Sequence, residues 1–158
     1  LHAETGAELH GTEGMSRMSH DADALARRCA DGMWADDLAS RSLGMELLDV
    51  GPGRSTIAMT ITTTMVNGHG NCHGGYIFTL ADSAFAFACN SYNQRTVAQH
   101  CSITYIVPAM LGDRLVARAE ERSRSGRSGI YDITVTRVDG TVIAEFRGHS
   151  RTVAGVLV

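Results

Sequence analysis

The chain has 158 residues, 44% of them hydrophobic and 20% charged, which suits one globular domain that buries roughly two thirds of its unfolded surface. A formal net charge of −3 supplies no basic field for nucleic acid, and no apolar run reaches the roughly 20 residues that a bilayer span needs. The four cysteines Cys29, Cys72, Cys89 and Cys101 form no Cys-x-x-Cys pair, so they read as free buried thiols, and with no secretory leader in view the expected location is the cytoplasm.

Residues 1–17 mix Gly, Glu, Thr and His without a hydrophobic period and read as an appended or disordered arm, with Met15 or Met18 as the natural start and residues 18–158 as the single domain. From Asp21, which can cap a first turn, Ala22, Leu25, Ala26, Cys29, Met33 and Trp34 recur at helical spacing, predicting an amphipathic helix with Trp34 as a packing anchor. The period then switches to two. Residues 45–50 and 54–63 predict a hairpin around Gly51-Pro52-Gly53, followed by a loop rich in Gly and Asn over residues 65–75.

Residues 73–90 predict a long helix, apolar on nearly every side, as befits a helix enclosed by other structure. Four more strands follow, over residues 99–107, 115–122, 129–138 and 141–153, the last two joined by an Asp139-Gly140 turn. The predicted class is α+β: an antiparallel sheet wrapped around the long central helix, with an additional N-terminal helix.

Asp82 is the one acid on the central helix. An ionised carboxylate withdrawn from water needs a partner, a metal or a task, which makes Asp82 the first candidate for chemistry. At spacings of seven, three and four it shares a stripe with Gly75, Thr79 and Ala86, and roughly with Asn90 at eight, small or polar residues that suit either a ligand groove or a contact with another helix. Gly74 and Gly75 open the helix, where backbone N–H groups are unpaired and the helix dipole is positive, so a carbonyl oxygen can approach as in an oxyanion hole. More than two turns separate Gly74 from Asp82. One chain therefore cannot aim both at one atom, whereas two such helices across a dimer axis can. His69, Cys72 and His73 lie close in sequence, but a glycine-rich loop gives them no fixed face and no fourth ligand is evident, so no metal site is expected.

The run Asn67-Gly-His-Gly-Asn-Cys-His73-Gly74-Gly75 followed by Leu80-Ala-Asp82, then Ala84-Phe-Ala-Phe-Ala-Cys-Asn90-Ser91, and later Tyr131-Asp-Ile and Phe146-Arg-Gly, resembles the hotdog-fold acyl-CoA thioesterases of the phenylacetic acid degradation (PaaI) type. The resemblance covers nearly the whole chain after Met18. It implies a thioester hydrolase acting on aryl-acetyl-CoA, without metal or organic cofactor, as a homodimer or a homotetramer built from two dimers. In such enzymes Asp82 would act as general base for water or as nucleophile, Gly74 would give its N–H to the thioester carbonyl, Asn67 would help to position the reacting groups, and His73 and Gly75 would complete the motif. Asp82 of one protomer would face Asn67 and Gly74 of the other. Related thioesterases carry a serine on the strand after the helix, and the matching position here is Ala98.

Oxyanion donors are each worth about 3 kcal/mol, and a desolvated carboxylate is a stronger base than one in water. Thr79 sits on the Asp82 stripe as a substrate contact, and Arg122, Arg124 and Arg127 could pair with CoA phosphates or simply solvate a hairpin. Two other functions are compatible with this fold. A hydratase or dehydratase would pair the acid with a histidine, of which only His73 is available, and a silent acyl-CoA sensor would gain nothing from burying Asp82.

Overall fold

In the computed structural model, which describes residues 8–158 with side chains from Gly14 onward, the chain runs α1 (Glu8–Asp36), α2 (Leu38–Ser42), β1 (Glu46–Gly51), β2 (Arg54–Thr60), α3 (Gly74–Cys89), β3 (Thr96–Tyr105), β4 (Arg114–Ser125), β5 (Ser128–Arg137) and β6 (Val142–Thr152). All strand pairs are antiparallel, in the order β1-β2-β4-β5-β6-β3, which leaves β1 and β3 as the edges. The sheet curls around α3 as the order of elements predicted, and this is the hotdog arrangement that the family resemblance implies.

Alternation along the strands decides which side of the sheet meets the helix. Ile57 and Met59 of β2, Leu115, Ala117 and Ala119 of β4, Tyr131, Ile133 and Val135 of β5, and Phe146 of β6 are all buried, and α3 answers with Ile77, Leu80, Ala84, Phe85 and Ala88. Burying side chains of the size of Leu80 or Phe85 stabilises the fold by about 1.5–3 kcal/mol each. Phe85 is seated directly over Gly148, where a Cβ would lie 2.7 Å from its ring, so β6 needs a glycine to let the helix approach.

The N-terminal helix begins well before Asp21, which therefore caps nothing. No proline interrupts residues 8–21, and Gly11 and Gly14 weaken a helix by about 1 kcal/mol each without ending it. Residues 14–21 are exposed, whereas Ala26, Cys29 and Ala30 are buried in the part of α1 that packs on β1. The first seven residues of the expected arm lie outside the described residues. Trp34 meets Phe87 with ring centroids 5.9 Å apart, the packing role expected of it.

The central helix differs from expectation in one respect. Its sheet covers only part of its circumference: Thr79, Asp82, Ser83 and Ala86 are half-buried and Gly75 is exposed. The small, polar stripe is thus the side of α3 that its own sheet leaves open.

Candidate active site

The loop that delivers the chain to α3 is held by its own polar groups. Asn67 donates its N–H to Asn71 O (2.8 Å), accepts from Gly70 N (3.0 Å), and receives His69 N (2.9 Å) and Asn71 N (3.2 Å) on its side-chain oxygen. That oxygen is thereby occupied inside the loop, and among the described residues the Asn67 amide nitrogen has no protein partner. Cys72 N donates to Ala109 O (2.7 Å) and His73 N to Met65 O (2.8 Å), which sets the entry angle of the helix.

His73 is the N-cap residue, in an extended conformation, with Nδ1 accepting from Gly75 N at 2.9 Å, and its carbonyl accepts from Tyr76 N at 3.0 Å. Gly75 N–H is therefore already engaged. Among the described residues Gly74 N–H has no acceptor, so the positive end of the helix keeps one free donor, and it is the predicted one.

Gly74 borders a cleft of about 430 Å³, together with Asn67, Cys72, Ile77, Tyr105 and Pro108. Tyr105 of β3 donates its hydroxyl to Gly74 O (2.8 Å), and a Cβ on residue 74 would lie 2.8 Å from the Tyr105 ring. Only a glycine lets the aromatic ring close over the backbone at this point.

Asp82 stands on the open stripe of the same helix. Burial pushes its carboxyl up from the ordinary value, and the Cys101 thiol, 3.9 Å from Oδ1, pulls it partly back. Burial and then the charge of Asp82 push Cys101 up to about 11, so at neutral pH the sulfur carries its proton and is the donor. Thr79 donates its hydroxyl to Gly75 O (2.8 Å), and Ser83 reaches Ser40 of α2 (2.9 Å).

The residues expected to act together do not meet within one chain. Asn67, His73, Gly74 and Gly75 gather at the start of α3, while Thr79 and Asp82 lie along its open side. The three arginines are held separately. Arg122 Nε donates to Asp132 (2.9 Å), Arg124 stacks 3.6 Å from the Tyr92 ring centre, and Arg127 Nε donates to Thr152 O (3.0 Å). His69, Cys72 and His73 also diverge, since the His73 ring caps the helix and the Cys72 thiol points at His73 O.

Sequence reasoning missed Tyr105 and Cys101 as neighbours of the site. Alternation places both on one face of β3 with Ile103, and the available signal is that this face has to meet the helix.

A family model described as the thioesterase superfamily matches residues 69–144. The chain is 38% identical over 128 residues to acyl-coenzyme A thioesterase PaaI of Escherichia coli (strain K12), covering 81% of this chain and 91% of that protein. The structure of the E. coli PaaI protein from the phenylacetic acid degradation operon superposes with a TM-score of 0.84 at 37% identity, covering 85% of this chain and 98% of the other. A variant of the phenylacetic acid degradation protein PaaI from Thermus thermophilus gives a TM-score of 0.72 at 34% identity, covering 74% and 100%.

Proposed function

The chain belongs to the thioesterase superfamily as one of its PaaI-type acyl-CoA thioesterases, and from that membership we propose that it hydrolyses aryl-acetyl-CoA, phenylacetyl-CoA or its ring-hydroxylated forms, in a site shared by two protomers. The observation that carries this reading is the division of labour on α3, with a free N–H at Gly74 facing a cleft and a half-buried carboxylate at Asp82 on the uncovered stripe. Eight residues at about 1.5 Å of rise place the two about 12 Å apart along the helix, too far for one carbonyl group to reach both. A second copy, lying antiparallel, supplies the missing half of each site.

In this scheme the thioester carbonyl accepts from Gly74 N–H of one protomer, with the Asn67 amide alongside. Asp82 of the other removes a proton from water as its oxygen adds to the carbonyl carbon, and the oxyanion collapses with cleavage of the C–S bond, the CoA thiolate leaving and taking up a proton. Direct attack by Asp82 reaches the same products through an acyl-enzyme anhydride that water opens. His73 keeps Gly75 N–H engaged so that the carbonyl meets Gly74 alone, and Thr79 lines the acyl side of Asp82. Arg122, Arg124 and Arg127 are the candidates for the CoA phosphates, and Arg127, whose partner is a neutral carbonyl, exchanges it most readily.

Support for the pairing comes from β3. Its ten residues form an edge whose outer side is unpaired among the described residues, and natural sheets seldom leave so long an edge bare. Such dimers would pair again into tetramers. A cytoplasmic location is part of the same reading and agrees with four cysteines that stay free.

The test is thiol release across a panel of acyl-CoA esters with wild type and Asp82→Ala side by side. Aryl-acetyl esters should turn over faster than straight-chain ones, and only in the wild type. Equal rates for the two proteins would remove Asp82 from the reaction, while a wild type that binds without turnover would identify a sensor. Sedimentation of the active species should show at least a dimer; a fully active monomer contradicts the shared site.

A further inference from the structure

We propose that Cys101 is a positioning residue for the reaction, its thiol donating to Asp82 Oδ1 and so presenting Oδ2 to the substrate. The inference rests on the role proposed for Asp82. Its starting point is the register of β3, where Ala98 pairs with Ser150, Cys101 pairs with Gly148, and a bulge intervenes between Ala98 and His100. Cross-strand partners share a face, and Gly148 faces α3 through Phe85, so Cys101 faces α3 as well. Without the extra residue, positions 98 and 101 would fall on opposite faces. The bulge places both on the helix side, a common use of such irregularities beside functional groups.

Ala98 offers a methyl group where related thioesterases are expected to carry a hydroxyl. Cys101, one turn of the pleat further on, stands half-buried with its sulfur 3.9 Å from Asp82 Oδ1. That distance is at the long end for S–H···O. Among the described residues it is the one side-chain hydrogen bond to Asp82.

The surroundings leave this thiol little competition. Cys89, on the same helix, is the other titratable group that senses Asp82, and burial pushes it up to about 12, so it stays neutral. From β5, Tyr131 donates its hydroxyl to Glu121 at 2.7 Å and is thus engaged elsewhere. Ser55 of β2 donates to Ala84 O, the other buried residues of β2 and β4 are apolar, and Ser150, the buried polar side chain of β6, makes no hydrogen bond to Asp82 among the described residues. Ser83 is committed to Ser40 of α2. Orientation of the carboxylate by the protein therefore falls to Cys101.

The experiment measures kcat and KM against pH for wild type, Cys101→Ala, Cys101→Ser and Asp82→Asn, on an acyl-CoA that the wild type hydrolyses, with melting temperatures alongside. Cys101→Ala should leave KM nearly unchanged, lower kcat about tenfold and move the acid limb to higher pH, because the donor that favours the ionised carboxylate is gone. Cys101→Ser restores a donor and should return both kcat and the limb towards wild type. A purely structural role would lower stability without moving the limb. Wild-type kcat and acid limb in Cys101→Ala, or a folded Cys101→Ser no better than Cys101→Ala, overturns the proposal while Asp82→Asn stays inactive. If Asp82→Asn itself remains fully active, it is the assignment of Asp82 that fails. Should Cys101→Ala not fold, Cys101→Val against Cys101→Thr repeats the comparison at nearly equal shape.

Discussion

The two ends of α3 treat their polar groups in opposite ways. At the carboxyl end everything is paired: Asn90 Nδ2 donates to Ala86 O and Thr96 O, both at 2.9 Å, its Oδ1 accepts from Thr96 N at 2.9 Å, and Ser91 Oγ donates to Ala88 O while accepting from Gly53 N, each at 2.8 Å. At the amino end Gly74 N–H is left without an acceptor among the described residues, and a cleft rather than a side chain covers it. Buried polar groups are ordinarily satisfied, so the closed end reads as architecture and the open end as a place kept for a ligand. Asp82 lies between them, half out of water, and belongs energetically with the open end.

The sharpest way to break this contrast is at Asp82. Removing a general base or nucleophile should lower kcat by about 10²–10⁴-fold, and Asp82→Asn, close in shape, should do so without unfolding the protein. A loss in KM alone would mean that Asp82 binds rather than reacts.

Gly74→Ala probes the same end with a smaller expected effect. Alanine is the better helix former, but its Cβ falls 2.8 Å from the Tyr105 ring, which must leave its place over Gly74 O. We expect kcat/KM to drop by about 10²-fold with a melting temperature near that of wild type, and partial recovery when Tyr105→Ala makes room. Unchanged kcat/KM in Gly74→Ala would show that the substrate does not use this cleft.

At the closed end the outcome reverses. Asn90→Ala strands the backbone N–H and C=O of Thr96, both lost partners lying in a buried corner. The loss should be about 3 kcal/mol, or a melting temperature lower by roughly 10 °C, with kcat at 25 °C unchanged. A variant that melts normally but has lost activity would erase the distinction between the two ends.

Much of this was legible in the residues because it follows from period and composition. Alternation in residues 129–138 predicts β5, and the loss of polar residues after Gly75 predicts a helix pressed into a sheet. Asp82 declared itself by being an acid in apolar company. What stayed hidden depends on contacts between distant residues. The capping of Gly75 by His73, which singles out Gly74 N–H, depends on a ring orientation that no spacing encodes. The seat of Tyr105 on Gly74 joins residues 31 positions apart. The approach of Cys101 to Asp82 joins residues 19 positions apart, and alternation, which groups Cys101 with Ile103 and Tyr105, does not say which residue of the helix that face meets. The start of α1 was misplaced because Asp21 looks like a cap wherever it stands, and only the absence of a breaker before it argued otherwise.

The smallest effect expected is also the one that ties the open end to its energetic consequence. Burial raises the Asp82 carboxyl above its ordinary 3.8, so in the native state the ionised form is disfavoured relative to the unfolded chain. The sign follows directly: the contribution of this group to stability is fully present below the unfolded value and is lost as pH rises through the native value. At pH 7 the charge is a net burden, and Asp82→Asn, which cannot ionise, should melt about 1–3 °C above wild type at equal protomer concentration. As the pH is lowered towards 4 the wild-type carboxylate takes up its proton and the two melting curves should converge. Wild type melting above Asp82→Asn at pH 7 would instead mean that the charge is stabilised by a partner across the subunit interface, so that the open stripe holds Asp82 for assembly rather than for the substrate.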